Sequence, residues 1–223
     1  MNAPADLRAV IFDLDGTLVD TADEFVVAVQ ALLDHHRRPA MDADRIRATV
    51  SSGAAALVTL ALGLPATAAT FEGERLRLLE FYSEVLGSRA GLFPGIENLL
   101  VELAARDIAW GIATNKPRAY TDPLLARLGI EPPPGSVVCP EDVRQRKPHP
   151  ESLYRNCRDL GCAPHQAVYV GDHLRDIQAG RRAGMYTVAA RYGYIEPDDD
   201  PSDWGADAGV DCSVDLYTLL LPG

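Results

Sequence analysis

The 223-residue chain is long enough for one core of ordinary size plus a modest insertion. Its 47% apolar and 24% charged residues match soluble globular usage and exclude a disordered or fibrous chain. A formal net charge of -11, from 21 basic and 32 acidic residues, repels nucleic-acid backbones and anionic membrane surfaces, so neither is an expected partner.

Residues 1–8 lack the basic start and apolar stretch of a signal peptide, and no run approaches the roughly 18 apolar residues of a membrane span. A cytoplasmic location is expected, with monomer and homodimer both open. Cys139, Cys157, Cys162 and Cys212 form no CxxC pair, so they read as small buried hydrophobes and not as zinc ligands.

The first apolar run, residues 7–12, is short and rich in Val, Ile and Phe, as a strand buried on both faces would be. From about residue 21 to 89 the pattern turns helical, punctuated by Pro39, residues 63–65 and Gly73. This predicts a small helical domain inserted after the first strand, hinged near residues 20–23 and 87–95. Strand-like runs then recur at 108–113, 167–170 and 185–190, with a weaker one at 137–139. Helical patterns at 96–106, 119–128, 151–160 and 176–183 alternate with them. Gly129, Gly161 and Gly184 follow the last three, where a left-handed cap residue belongs. Residues 191–209, rich in Pro, Gly and Asp, read as a surface loop, and 214–221 as a last short helix. The alternation predicts an α/β fold with a Rossmann-like parallel sheet, from residues 1–20 and 90–223, carrying the helical domain 21–89. Ligands of such a sheet bind outside the carboxyl ends of the strands.

Asp13-Leu14-Asp15-Gly16-Thr17 follows directly on the first strand. In extended chain, residues two apart point the same way, which sets the Asp13 and Asp15 carboxylates side by side at the sheet's end. Two such charges need a divalent metal or a shared proton between them. Phosphate transfer suits the pair: one carboxylate attacks phosphorus, while its neighbour handles the leaving-group proton and later activates water. Asp13, Asp15, Thr17 and Glu24 also fall at the first, third, fifth and twelfth places of a calcium loop. Leu18 occupies the sixth, where such a loop requires Gly.

Gly171-Asp172-His173-Leu174-Arg175-Asp176 closes a later strand, with carboxylates four apart on what becomes one helix face. Alone, an aspartate there is most often a cap. Thr114 and Asn115 end another strand with a hydroxyl and an amide able to hold phosphate oxygens. Lys147, before Pro148, is a cation on a stiffened loop.

Together these residues resemble the four motifs of the haloacid dehalogenase superfamily of phosphohydrolases, in order and spacing. The resemblance implies that Asp13 is the nucleophile, Asp15 the general acid and base, and Lys147 the group that steadies nucleophile and phosphate. Thr114 and Asn115 would contact the phosphate. It further implies magnesium held by Asp13, the main-chain carbonyl of Asp15, and Asp172, with Asp176 and Thr17 around that shell. The helical insertion would be the cap of the phosphoglycolate phosphatase-like branch, closing over a small phosphate ester.

Residues 191–195 and 203–207, with Ser51-Ser52-Gly53-Ala54 in the insertion, resemble bacterial N-acetylmuramic acid 6-phosphate phosphatases. That resemblance implies substrate contacts at Ser52 and Gly53. The muramic ester and 2-phosphoglycolate, the alternative, each carry a carboxylate, for which Arg45, Arg47 and the backbone of residues 52–54 are candidate contacts. A sugar phosphomutase and a non-catalytic binding protein remain as other readings.

Overall fold

The computed structural model describes residues 4–221; the first three and last two residues of the expected sheet domain lie outside them. In chain order the elements begin with β1 (Ala9–Phe12) and β2 (Val19–Asp20), followed by helices α1 (Ala22–His35), α2 (Ala43–Thr49), α3 (Gly53–Leu62) and α4 (Phe71–Val85). The chain returns through β3 (Gly91–Leu92), which pairs antiparallel with β2 and so ties both ends of the insertion together. There follow α5 (Ile96–Ala105), β4 (Ala109–Ala113), α6 (Arg118–Leu128), β5 (Ser136–Val138), α7 (Glu151–Leu160) and β6 (Ala167–Gly171). The chain ends with α8 (Leu174–Ala183), β7 (Tyr186–Ala190), β8 (Ala208–Val210) and α9 (Asp215–Leu220).

β1 and β4 to β8 form one parallel sheet in the order β5-β4-β1-β6-β7-β8. All four residues of β1 are fully buried, because alternate side chains serve opposite faces. Val10 and Phe12 join the apolar cluster that extends into the insertion; Ala9 and Ile11 join the one beneath α7 and α8. Each of the larger side chains contributes about 1.5–3 kcal/mol by its removal from water. The α/β reading of the sequence therefore holds, with helices on both faces.

In the insertion, α1 buries Phe25, Ala28, Val29 and Leu32, a spacing of three, one and three that makes a single apolar stripe. α4 answers with Phe71, Leu78 and Tyr82. Phe25 and Tyr82 stack with centroids 4.1 Å apart and planes within 7°.

Residues 191–209 correct the sequence reading. They are not a plain surface loop: they add β8 to the sheet edge and bury Tyr194 and Trp204. A three-residue strand is too short to show alternation, and the Pro and Asp around it hide two aromatic anchors.

Close helix-to-sheet packing also depends on Gly180 of α8. A Cβ there would meet Thr187 Cγ2 at 2.5 Å and Tyr169 Cβ at 3.4 Å. Gly180→Val is expected to lower stability by about 1–3 kcal/mol in urea unfolding. An unchanged midpoint would mean that α8 can shift outward at no cost.

Candidate active site

Asp13 follows β1, Thr114 follows β4 and Asp172 follows β6. β1 lies between β4 and β6, and the chain runs from β4 outward to β5 but from β6 outward to β7. The strand order thus reverses beside β1, which opens a crevice at these carboxyl ends. Just beyond Asp13 the chain doubles back, with Gly16 N–H donating to the Val19 carbonyl (3.0 Å) and Leu18 N–H to that of Leu14 (3.1 Å). Gly16 has φ +80, and a Cβ on it would lie 2.1 Å from Asp172 Oδ2. Only glycine allows both the turn and the approach of Asp172.

Lys147 is 3% exposed. Its ammonium lies 2.9 Å from Asp13 Oδ1 and 2.8 Å from Asp176 Oδ1. It also donates to the Ala113 carbonyl (2.7 Å) and to the Tyr169 hydroxyl (2.8 Å). Four acceptors around three donor hydrogens fix its position. Asp13 Oδ1 additionally accepts from Leu14 N–H at 2.7 Å, so both contacts fall on one oxygen of the carboxylate. Asp176 accepts from the Tyr169 hydroxyl (3.1 Å) and, on Oδ2, from His173 N–H (3.2 Å). It caps α8 and anchors Lys147 at once.

Asp15 is held separately. Its Oδ1 accepts from the Thr21 hydroxyl (2.7 Å) and from Lys116 Nζ (3.0 Å). Lys116, 8% exposed, also donates to the Tyr82 hydroxyl at 2.7 Å, with its charge 4.7 Å from the Tyr82 ring centroid and 5.2 Å from that of Phe25. The expected neighbours Asp13 and Asp15 thus line one cleft, but each has its own buried ammonium. Lys116 was not singled out in the sequence, although Pro117 follows it just as Pro148 follows Lys147.

Asp172, 1% exposed, accepts from the hydroxyls of Thr17 (3.3 Å) and Ser51 (2.7 Å) and from Tyr194 N–H (2.9 Å). One carboxylate therefore joins the first loop, the insertion and the tail. Burial, with Asp13 and Asp176 close by, pushes its carboxyl up to about 7. Burial also raises the carboxyl of Asp13, against the opposing pull of Lys147. Carboxylate oxygens of Asp13, Asp172 and Asp176 lie within 4.8 Å of one another. A dry, all-oxygen cluster with surplus negative charge suits a hard divalent cation.

A cleft of about 760 Å³ opens over these groups, lined by strand-end residues, the 50–55 segment of the insertion, Arg75, Tyr82, Tyr120, Arg146 and Arg175. Thr114 and Asn115 line it; Thr114 Oγ1 accepts from Lys116 N–H (3.0 Å), and the Asn115 amide donates to the Lys147 carbonyl (3.1 Å). Ser52 and Gly53 line it too, at the first turn of α3, which has no side-chain cap. The Ser52 hydroxyl donates to Glu196. Neither Arg45 nor Arg47 lines this cleft, which corrects the expectation for them. Arg47 is engaged at the hinge by Asp20 and Asp23, since the turn into α1 places two acids in its reach. Glu24, the last position of the calcium-loop pattern, points elsewhere: its Oε1 accepts from Arg89 and Ala90 N–H.

A buried carboxylate on a parallel sheet's tip, faced by lysine and by further aspartates, defines a class of hydrolase site. The model of the haloacid dehalogenase-like hydrolases matches residues 10–190, and the chain belongs to that family. It is 42% identical to the N-acetylmuramic acid 6-phosphate phosphatase of Pseudomonas putida over 214 residues, 96% of each chain. It is 40% identical to the phosphoglycolate phosphatase of Xanthomonas campestris, covering 94% of this chain and 95% of that one. A solved structure described as a "predicted phosphoglycolate phosphatase" from Haemophilus somnus superposes with a TM-score of 0.84 at 25% identity, over 96% of this chain and 98% of the other. The chain is a phosphatase of this family.

Removing a partner from a buried ion pair leaves uncompensated charge. Lys147→Met is expected to cost about 3–5 kcal/mol in guanidinium unfolding at neutral pH. A loss below about 1 kcal/mol would mean that Asp13 and Asp176 do not depend on this ammonium.

Proposed function

We propose that the chain hydrolyses the phosphate monoester of a small carboxylate-bearing molecule, N-acetylmuramic acid 6-phosphate before others, through an aspartyl phosphate on Asp13. The observation that supports this most is whole-length likeness to a phosphatase of that ester, 42% over 96% of each chain, in a chain whose strand ends bring Asp13, Lys147 and Asp172 together.

In this reading a carboxylate oxygen of Asp13 attacks phosphorus, and the bond from phosphorus to the ester oxygen breaks. Asp15 gives its proton to the departing alkoxide. Water then attacks the aspartyl phosphate, Asp15 takes up its proton, and inorganic phosphate leaves with Asp13 restored. Lys147 holds Asp13 in place, and the Thr114 hydroxyl and Asn115 amide contact phosphate oxygens. Magnesium would be held by Asp13, Asp172 and the main-chain carbonyl of Asp15, and would neutralise charge on the phosphate oxygens. Asp176 would lie around that shell, with its oxygens held by Lys147, Tyr169 and His173. Residues 21–89 act as a cap that excludes water; Ser51, bonded to Asp172, is one of its contacts across the seam. A cytoplasmic location suits four free cysteines.

The second reading, 2-phosphoglycolate, is favoured by the 40% identical relatives that carry that name. Phosphate release from both esters with magnesium present is expected to show a higher kcat/KM for the muramic ester. Equal or reversed preference would remove that substrate. Excess chelator is expected to abolish turnover, and Asp13→Asn to lower kcat by at least about 1,000-fold; activity surviving either change would contradict the mechanism.

A further inference from the structure

Five cationic side chains line the cleft: Arg75, Lys116, Arg146, Lys147 and Arg175. Three are already matched to carboxylates. Lys147 is held by Asp13 and Asp176, Lys116 by Asp15, and Arg75 by both oxygens of Glu72. Arg146 is exposed at the rim, where water and salt screen its charge.

Arg175 is different. It is half-buried, and its Nε is out of contact with water and has no hydrogen-bond partner among the described residues. An unpaired buried donor on a cation costs about 1–3 kcal/mol or more, a cost that a bound anion would remove. Its guanidinium donates to the Ser51 carbonyl in the insertion. Its own backbone N–H donates to His173 Nδ1 (3.1 Å) in the turn that starts α8. The side chain therefore rises from a rigid element of the sheet domain and reaches the insertion across the cleft.

We infer that Arg175 is the specificity-determining residue that selects, among phosphate monoesters, those carrying a second anionic group, a carboxylate. The inference rests on the proposed reading that the substrate bears one. The planar fork of a guanidinium matches a carboxylate in shape and charge. The phosphate end has its own partners in Lys147, Thr114 and Asn115, whereas the Arg175 contact lies on the insertion side, at Ser51. A small turn of the guanidinium would present Nε to a carboxylate seated there while another of its nitrogens keeps hold of the insertion. Recognition of the acid and closure over the ester are then one event.

The test compares matched esters. N-acetylmuramic acid 6-phosphate is set against N-acetylglucosamine 6-phosphate, the same sugar without the lactyl carboxylate, and 2-phosphoglycolate against ethyl phosphate. In the wild type the acid-bearing member is expected to have the higher kcat/KM. In Arg175→Gln the ratio within a pair is expected to fall by about 10- to 100-fold, mostly through KM of the acid-bearing ester. Arg175→Lys, which keeps the charge, is expected to restore part of it, and Arg175→Met serves in place of the Gln variant if that one does not fold. A ratio unchanged while both esters lose activity together would overturn the inference and place the guanidinium on the phosphate, leaving the muramic reading intact. A wild-type preference for acid confined to the phosphoglycolate pair, and lost in Arg175→Gln, would sink the muramic reading and keep the inference. No preference within either pair would overturn the inference outright.

Discussion

The structure depends on how buried carboxylates at one end of a sheet are kept together. Asp13, Asp15, Asp172 and Asp176 meet in or beside a single cleft, and two buried ammoniums serve them. Lys147 bridges Asp13 and Asp176, and Lys116 holds Asp15. Among the described residues Asp172 has only neutral donors, the hydroxyls of Thr17 and Ser51 and the Tyr194 amide. It is the carboxylate pushed up to about 7. Four carboxylates against two ammoniums leave a surplus of two negative charges, and the carboxylate oxygens of Asp13, Asp172 and Asp176 lie close enough together to suit a hard divalent cation.

The same contacts join the insertion to the sheet domain. Tyr82 of α4 bonds to Lys116, Ser51 to Asp172, and Arg175 to the Ser51 carbonyl. Apolar packing fixes the parts that present these groups, since Phe25 and Tyr82 stack face to face. Asp172, Lys116 and Arg175 thus sense where the insertion lies. A shift of α4 away from the sheet would strip Lys116 of its phenol and of the ring beneath it, and would bare Asp15 to water.

Much of the sheet was legible in the sequence, because strands buried on both faces are short apolar runs and parallel strands require helical crossovers. Gly129, Gly161 and Gly184 do end helices with φ between +56 and +78. Residues at strand ends were legible for a related reason: polar side chains directly after a buried apolar run emerge at the carboxyl end of the sheet. The pairing of Lys116 with Tyr82, 34 residues earlier, was not, since a tyrosine in a helical stripe reads as core until its hydroxyl finds a partner. The buried role of Tyr194 was hidden in the same way by the Pro and Asp of its loop. Arg175 stood within a motif whose aspartates drew the attention, and only the orphaned Nε in the folded chain marks it out.

In the proposed reaction Asp13 attacks phosphorus while Asp15 moves the proton. Rapid quenching during turnover of a phosphate ester, followed by reductive trapping of the acyl phosphate and peptide mass analysis, tests it most directly. The account predicts a single modified residue, Asp13, absent when magnesium is withheld. Modification at Asp15, at Asp172 or at a histidine, or turnover with no trapped acyl phosphate at any quench time, would contradict it.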